Sequence, residues 1–343
     1  FPKHADLLVY DQNTNGVFLD HWQSPAIRGL VLRYAARLIQ EGHLTLDDLP
    51  PEASWDRFFQ VLETQPTLWT DFMRELDEIK QQETAGLVNW LKSRYDIPWE
   101  TNPTQPIGSD MRRVVPYKAL DTLVFILHHE PYRQRFLKSG VRLVVGGRAF
   151  GDYRLMLEIL QGLIAEHKLE ERIAVIPDYN IGMAQRHIYR GVNAVLMLSQ
   201  KLQEAAHTSS QKGMSNAAIS VSVRNGAALD WLRDWSEDFS GDRGNGLWIE
   251  YEGRHPSDPA YLDWLQQLAR EHRDWMQEGD LTSRPSAESL LTDLEELGAT
   301  WRDPSKRVLR QYDALKTGMV DADLTYRQAR GILAFPEAKR RMV

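Results

Sequence analysis

The chain has no cysteine among its 343 residues. Disulfides, thiolate metal sites, iron–sulfur clusters and a cysteine nucleophile are therefore excluded, and a reducing compartment is expected, with a cytoplasmic location. Long apolar runs are also missing. The longest, around Leu123 to Leu127 and Leu143 to Val145, fall far short of the roughly 20 residues needed to cross a bilayer. No membrane partner is expected. Neither charge sign forms a block: 41 Lys plus Arg stand against 48 Asp plus Glu, a net charge of −7. The basic footprint of a nucleic-acid-binding protein is thus absent. The ten histidines include one close pair, His128-His129, and adjacent residues of a helix cannot both face one ion, so no metal is assigned. No period repeats, which excludes a solenoid. The first residue is Phe1 rather than Met, with no basic-then-apolar leader behind it, and the chain reads as a piece of something longer.

What is present is a globular composition, 42% hydrophobic and 26% charged, long enough to bury a large core. Residues 1–104 read as a mostly helical N-terminal region. Ile27, Leu30, Val31, Tyr34 and Leu38 recur at helical spacing, and amphipathic stretches follow at Trp55 to Leu62, Leu68 to Ile79 and Thr84 to Leu91. Pro103 and Pro106 then break all periodicity. In residues 105–256 short apolar runs alternate with helical patterns. The expected strands are Met111 to Val115, Val141 to Val145, Arg172 to Ile176, Ala194 to Leu198, Ile219 to Val223 and Leu247 to Tyr251. The expected helices between them are Tyr117 to His129, Tyr153 to His167, Ile181 to Tyr189 and Lys212 to Ala217. This rhythm predicts an α/β fold, a doubly wound parallel sheet covered on both faces. Residues 257–343 read as C-terminal helices.

Ligands of such sheets sit beyond the carboxyl ends of the strands. Three segments there carry chemistry. Arg112-Arg113-Val114-Val115-Pro116-Tyr117-Lys118 places cations at a strand end, with Pro116 suited to a first helical turn; a phosphate would fit, although spacing alone favours a solvated surface cluster. Gly146-Gly147-Arg148-Ala149 follows an apolar strand and permits close backbone approach. The polar loop from Gln203 to Gly213 can wrap an anion. Within it Lys212, expected at a helix start, would have its charged form disfavoured and its amine made available for a Schiff base, although a lysine in a polar loop is usually a solvated surface residue.

These residues carry a resemblance. Glu204, Ala205, Thr208, Lys212 and Asn216 fall on the pattern E-A-S-G-T-x-x-M-K-x-x-x-N of the α-glucan phosphorylases, the glycogen and maltodextrin phosphorylase family. Asn13-Thr14-Asn15-Gly16-Val17 with Trp22 resembles that family's T-N-G-[VI]-T-P-R-R-W. Arg112-Arg113 with Tyr117-Lys118 resembles K-R-x-x-E-Y-K, Gly146-Gly147-Arg148-Ala149 resembles G-G-K-A, and Pro177-Asp178-Tyr179-Asn180 resembles its D-Y or N-Y segment. The resemblance implies the C-terminal half of a two-domain, glycosyltransferase-B type fold, and reversible phosphorolysis of α-linked glucosyl units to glucose 1-phosphate. It implies pyridoxal 5'-phosphate bound covalently on Lys212, flanked by Trp22 and Tyr179, with its phosphate held near Arg112, Lys118 and Thr208. Arg113 and Lys118 would be catalytic, holding orthophosphate, while Glu204 and Asn15 would contact the glucosyl unit. The implied partners are an α-glucan or maltodextrin, orthophosphate, an upstream N-terminal domain and a second copy in a homodimer.

Departures from the pattern keep two other readings open. The family's glycine is His207, preceded by Ala206. Its P-R-R is Leu19-Asp20-His21, and the methionine before the lysine is Gln211. An inward His207 would take room from substrate, so a catalytically divergent or inactive binding domain is one alternative. A nucleotide-sugar glycosyltransferase is the other. Transferases of that kind commonly carry a second glutamate eight residues after the first, where this chain has Lys212.

Overall fold

The computed structural model describes residues 17–50, 53–149, 154–201, 208–226, 228–235, 244–252, 263, 267 and 284–329. Asn15, Glu204, Ala205, Ala206 and His207 lie outside the described residues, as does nearly all of the expected helical stretch between 257 and 283.

The leading helices form where the periodicity placed them. After the short α1 (Leu19–Trp22), α2 (Pro25–Gln40) starts with Ser24 accepting from the Ala26 amide and Pro25 in its first turn, and buries Ile27, Leu30, Val31, Tyr34 and Leu38. Helix α3 is Trp55–Glu63. The two stretches at Leu68 to Ile79 and Thr84 to Leu91 are one 30-residue helix, α4 (Pro66–Tyr95), closed by Asp96 in the left-handed conformation at φ 55°.

Strands β1 (Ile107–Met111), β2 (Arg142–Gly146), β3 (Ile173–Ile176), β4 (Ala194–Met197), β5 (Ile219–Val223) and β6 (Gly246–Ile249) follow. They form one parallel sheet in the order β3-β2-β1-β4-β5-β6. The expected doubly wound α/β fold is therefore present. Side chains on β2 and β4 alternate between two cores: Leu143, Val145, Ala194 and Leu196 face one, Val144, Val195 and Met197 the other. Helices α5 (Leu120–His128), α6 (Glu130–Ser139), α7 (Arg154–His167) and α11 (Ala287–Arg302) supply the first core. The second is closed by the end of α4 and by α8, which comprises Ile181–Met183, a π-turn at Ala184–Ile188 and Tyr189–Gly191. Helices α9 (Thr208–Met214) and α10 (Ala228–Trp231) complete the crossovers. A third core joins α2, α3 and α4 to Tyr312, Leu315 and Met319 of the last helix, α12 (Pro304–Ala329).

The first strand departs from expectation. It runs from Ile107 rather than Met111, four residues early, because this central strand is polar by composition. Gly108 is needed where Leu143 and Leu196 of both neighbours would crowd a Cβ at 2.9 Å, and the buried Asp110 is paired with Arg112. Of the expected Met111 to Val115 run, Val114 makes an isolated parallel bridge to Ala149.

Candidate functional site

In the order β3-β2-β1-β4-β5-β6 the winding reverses between β1 and β4, and the crevice beyond their carboxyl ends is where such sheets take ligands. Two segments flank it. After β1 the chain passes Arg112 and Arg113 into a single turn at Pro116–Lys118, as Pro116 suggested. After β4 it passes through residues 198–201 towards α9.

These segments are stapled by Arg112. Its guanidinium donates to the Asp110 carboxylate, to the Leu198 carbonyl and, at 2.9 Å, to the Lys118 carbonyl. The Gln200 amide donates to the Tyr117 carbonyl at 2.7 Å. Arg112 and Lys118 are each only 8% exposed, so the solvated surface cluster is not what forms; Arg113 alone is exposed. The two glycines of Gly146-Gly147 lie alongside, both at positive φ (138° and 134°). A Cβ on Gly147 would fall 1.5 Å from the Arg112 carbonyl oxygen. The close approach that the glycine pair permits is thus to the backbone of the neighbouring motif.

Asp110, Arg112, Arg113, Val114, Lys118, Leu120 and Gly146 line a small pocket partly open to solvent. Three cations share it with one carboxylate. Burial, then the charges of Arg112 and Arg113, push the Lys118 ammonium down to about 7 against the opposing pull of Asp110. An oxyanion entering the cavity would reverse that shift and bind with uptake of a proton at Lys118.

Lys212 sits in the last turn of α9 rather than at a helix start. Its amine is lowered to about 8 by burial, so the helix end is not the cause that operates. The Nζ lies 4.1 Å from the centre of the Trp22 ring and 5.8 Å from that of Tyr189. Trp22, far away in sequence, is locked there. Asn216 donates to the Trp22 carbonyl at 2.9 Å and the Lys212 carbonyl at 2.8 Å, and accepts from the Ser24 amide. Gln23 donates to the Ser215 carbonyl at 3.1 Å, and Gln185 in the π-turn donates to the His21 carbonyl. From the other side Gln211 donates to Asp321 at 2.5 Å, tying α9 to α12.

Tyr189 had no signal of its own in the sequence beyond closing an amphipathic helix. It is fully buried, packs edge-on against Trp22 at 5.7 Å and donates to Ser209 at 2.9 Å. Tyr179 is half-buried and hydrogen-bonded to Tyr189, and burial raises both phenols. Thr208 is half-buried at the first position of α9. The structure therefore brings Trp22, Tyr179, Tyr189, Ser209 and Lys212 into one aromatic group, and Arg113 with Lys118 into one cavity. The pocket of Arg113 and Lys118 lies just past the carboxyl end of β1.

No family model matches the chain. It is 22% identical over 245 residues to the muscle form of glycogen phosphorylase from Rattus norvegicus, an alignment covering 67% of this chain and 27% of that protein. It is 24% identical over 250 residues to glycogen phosphorylase from Mycobacterium tuberculosis, covering 67% and 26%. The chain is distantly related to the glycogen phosphorylases. It spans about a quarter of the length of these relatives. With the liver form from Homo sapiens the likeness is 20% over 182 residues, 49% of this chain and 21% of that one. Among the described residues no helix is long and apolar enough to cross a membrane, and no cluster of three or more His, Asp or Glu side chains is placed to hold a metal ion.

Proposed function

We propose that this chain is the cofactor- and phosphate-bearing half of an α-glucan phosphorylase-like enzyme, which cleaves a terminal α-linked glucosyl unit with orthophosphate to give glucose 1-phosphate. The observation that carries the reading is Lys212. A half-buried amine lowered to about 8 and held against the face of Trp22 keeps a useful neutral fraction near neutral pH, as attachment to an aldehyde requires.

The residues present fit pyridoxal 5'-phosphate. Trp22, Tyr179 and Tyr189 offer aromatic surface for a flat ring, Lys212 the amine, and Thr208 with Lys118 groups for its phosphate. When bound, the cofactor supplies a phosphate able to exchange a proton with the substrate phosphate. The chain's own residues do the rest. Arg113 and Lys118 bind orthophosphate, Lys118 gaining its proton as the anion arrives. Arg112 positions both by holding the Lys118 and Leu198 carbonyls, its own charge balanced by Asp110. Glu204 and Asn15 are assigned the glucosyl hydroxyls, and His207 the substrate side of the same loop. An upstream domain closes the cleft over the sugar and excludes water.

The test is an absorbance spectrum of the full-length protein with added pyridoxal phosphate, followed by borohydride and peptide mass spectrometry. The cofactor should be fixed to the peptide carrying Lys212, phosphorolysis of maltodextrin should be lost in Lys212→Arg, and residues 1–343 alone should be inactive. A wild type that takes up no cofactor and makes no glucose 1-phosphate would leave the non-catalytic binding domain as the reading.

A further inference from the structure

On the opposite, amino edge of the sheet a second pocket, partly open to solvent, lies between α4, the 101–103 segment, the end of α11 and α12. Its walls include Lys80, Thr84, Asn193, Trp301, Arg307 and Gln311, each at least nine-tenths buried. We infer that this cavity is a second ligand site, built for a small hydroxylated oxyanion.

Lys80 is the first ground. It interrupts the buried stripe of α4 formed by Leu68, Phe72, Leu76, Leu87 and Leu91, and it is 0% exposed. An apolar side chain would satisfy a core stripe at less cost. The Nζ donates to the Arg190 and Val192 carbonyls at 2.7 and 2.8 Å. An ammonium has three N–H groups; Glu83 acts on this one through space, but among the described residues no carboxylate hydrogen-bonds to it. Burial pushes it down to about 7, so an anion at the third position would recharge it.

Gln311 is the second ground. It is 1% exposed and its Oε1 has no partner. A buried amide oxygen left unpaired costs about 1–3 kcal/mol, and exchanging the amide's O and N leaves the same vacancy to be filled. A ligand hydroxyl would fill it.

The remaining walls agree. Arg307 is paired bidentately with Asp77, at 3.0 and 2.8 Å, and donates to the Pro103 carbonyl at 3.2 Å. No carboxylate lines the cavity among the described residues, and the charge of Arg307 is balanced by Asp77 behind it. Asn193 is anchored by accepting from the Ile107 amide at 2.9 Å and donating to Thr84 at 3.2 Å. The Trp301 ring gives an apolar wall for a carbon skeleton. The oxyanion therefore belongs at Lys80, and a hydroxyl at Gln311.

The test uses the full-length protein carrying Arg113→Gln and Lys118→Met, which removes the phosphate-binding cations of the proposed active site. Calorimetric and thermal-shift titrations are made with inorganic phosphate, D-gluconate and glucose 6-phosphate. Saturable one-site binding of gluconate or the sugar phosphate is expected, with phosphate weaker. Adding Gln311→Met should raise the melting temperature without ligand, because an unpaired amide is gone, yet weaken binding at least tenfold. Lys80→Met should abolish it. Should the double-variant background not fold, wild type is compared with Gln311→Met directly, where loss of one class of sites supports the inference. No binding by any of the three probes, or isotherms unchanged by Gln311→Met, overturns it. Failure of Lys212 to take up cofactor would not touch this result, so the two readings fall separately.

Discussion

Asp110→Asn isolates what Arg112 does. The pair is buried on both sides, with 4% exposure at Asp110 and 8% at Arg112. The other bonds of the guanidinium go to the neutral carbonyls of Leu198 and Lys118. Asparagine keeps the shape and one acceptor but removes the countercharge. Breaking one partner of such a pair costs about 3–5 kcal/mol because the remaining charge stays buried, and about 3 kcal/mol is expected here, since Asn Oδ1 still accepts from Nε. Arg112→Met leaves Asp110 without its cation and two buried carbonyls without donors, so a loss in the same range is expected, about 3–5 kcal/mol. In the double variant neither charge is stranded, and the total should be well below the sum, with a coupling of about 2–3 kcal/mol. Equilibrium unfolding in guanidinium chloride measures all four corners of the cycle. Additivity within about 0.5 kcal/mol would refute the reasoning, because Arg112 would then not depend on Asp110 and would be free to act as an anion ligand in its own right.

Three lysines have their ammonium groups pushed down from 10.5 by burial, Lys80 and Lys118 to about 7 and Lys212 to about 8. The unfolded chain then holds more protons than the folded one above about pH 7, so stability should rise with pH from there towards about pH 10, by up to about 1.4 kcal/mol per unit for each lysine. Guanidinium midpoints at pH 7, 8 and 9 test this, and a flat or falling series contradicts it; Lys80→Met should reduce the slope. Gly147→Ala should cost more than about 4 kcal/mol, since the new Cβ would lie 1.5 Å from a backbone oxygen at φ 134°; a wild-type melting temperature would be inconsistent with the close approach of the two motifs. Lys168, exposed at the end of α7 in the left-handed conformation at φ 56°, should gain about 0.5–1 kcal/mol on replacement by Gly, read as a higher melting temperature.

Much of this architecture is legible locally. Helix α2 and strands β2 to β6 fall within a few residues of where periodicity puts them, because each buries a face whose repeat, 3.6 or 2, is written into the order of side chains. The strand–helix alternation also carries the parallel sheet and the edge on which ligands sit. Strand β1 is misplaced because its glycine and its acid are explained by residues remote in sequence: Leu143 and Leu196 demand Gly108, and a folded-back Arg112 satisfies Asp110. At the candidate site, the resemblance to the phosphorylase motifs singles out Arg113, Lys118 and Lys212. Spacing says nothing of Tyr189, whose position against Trp22 depends on a helix from one end of the chain being tied by Asn216 to a helix from its middle.

The sequence by itself determined the absence of thiol chemistry and the α/β alternation, because these depend on composition and short-range period alone; the motif lysine and the strand-end cations stand out in it through the resemblance to the phosphorylases. Tertiary structure decided which of those charges are buried. Lys118 and Lys80 look alike in sequence as surface lysines, yet each is lowered to about 7, because desolvation depends on what the rest of the chain packs around an ammonium group. It also made Arg112 a brace between β1 and β4, since only folding brings the Leu198 carbonyl, 86 residues away, to its guanidinium.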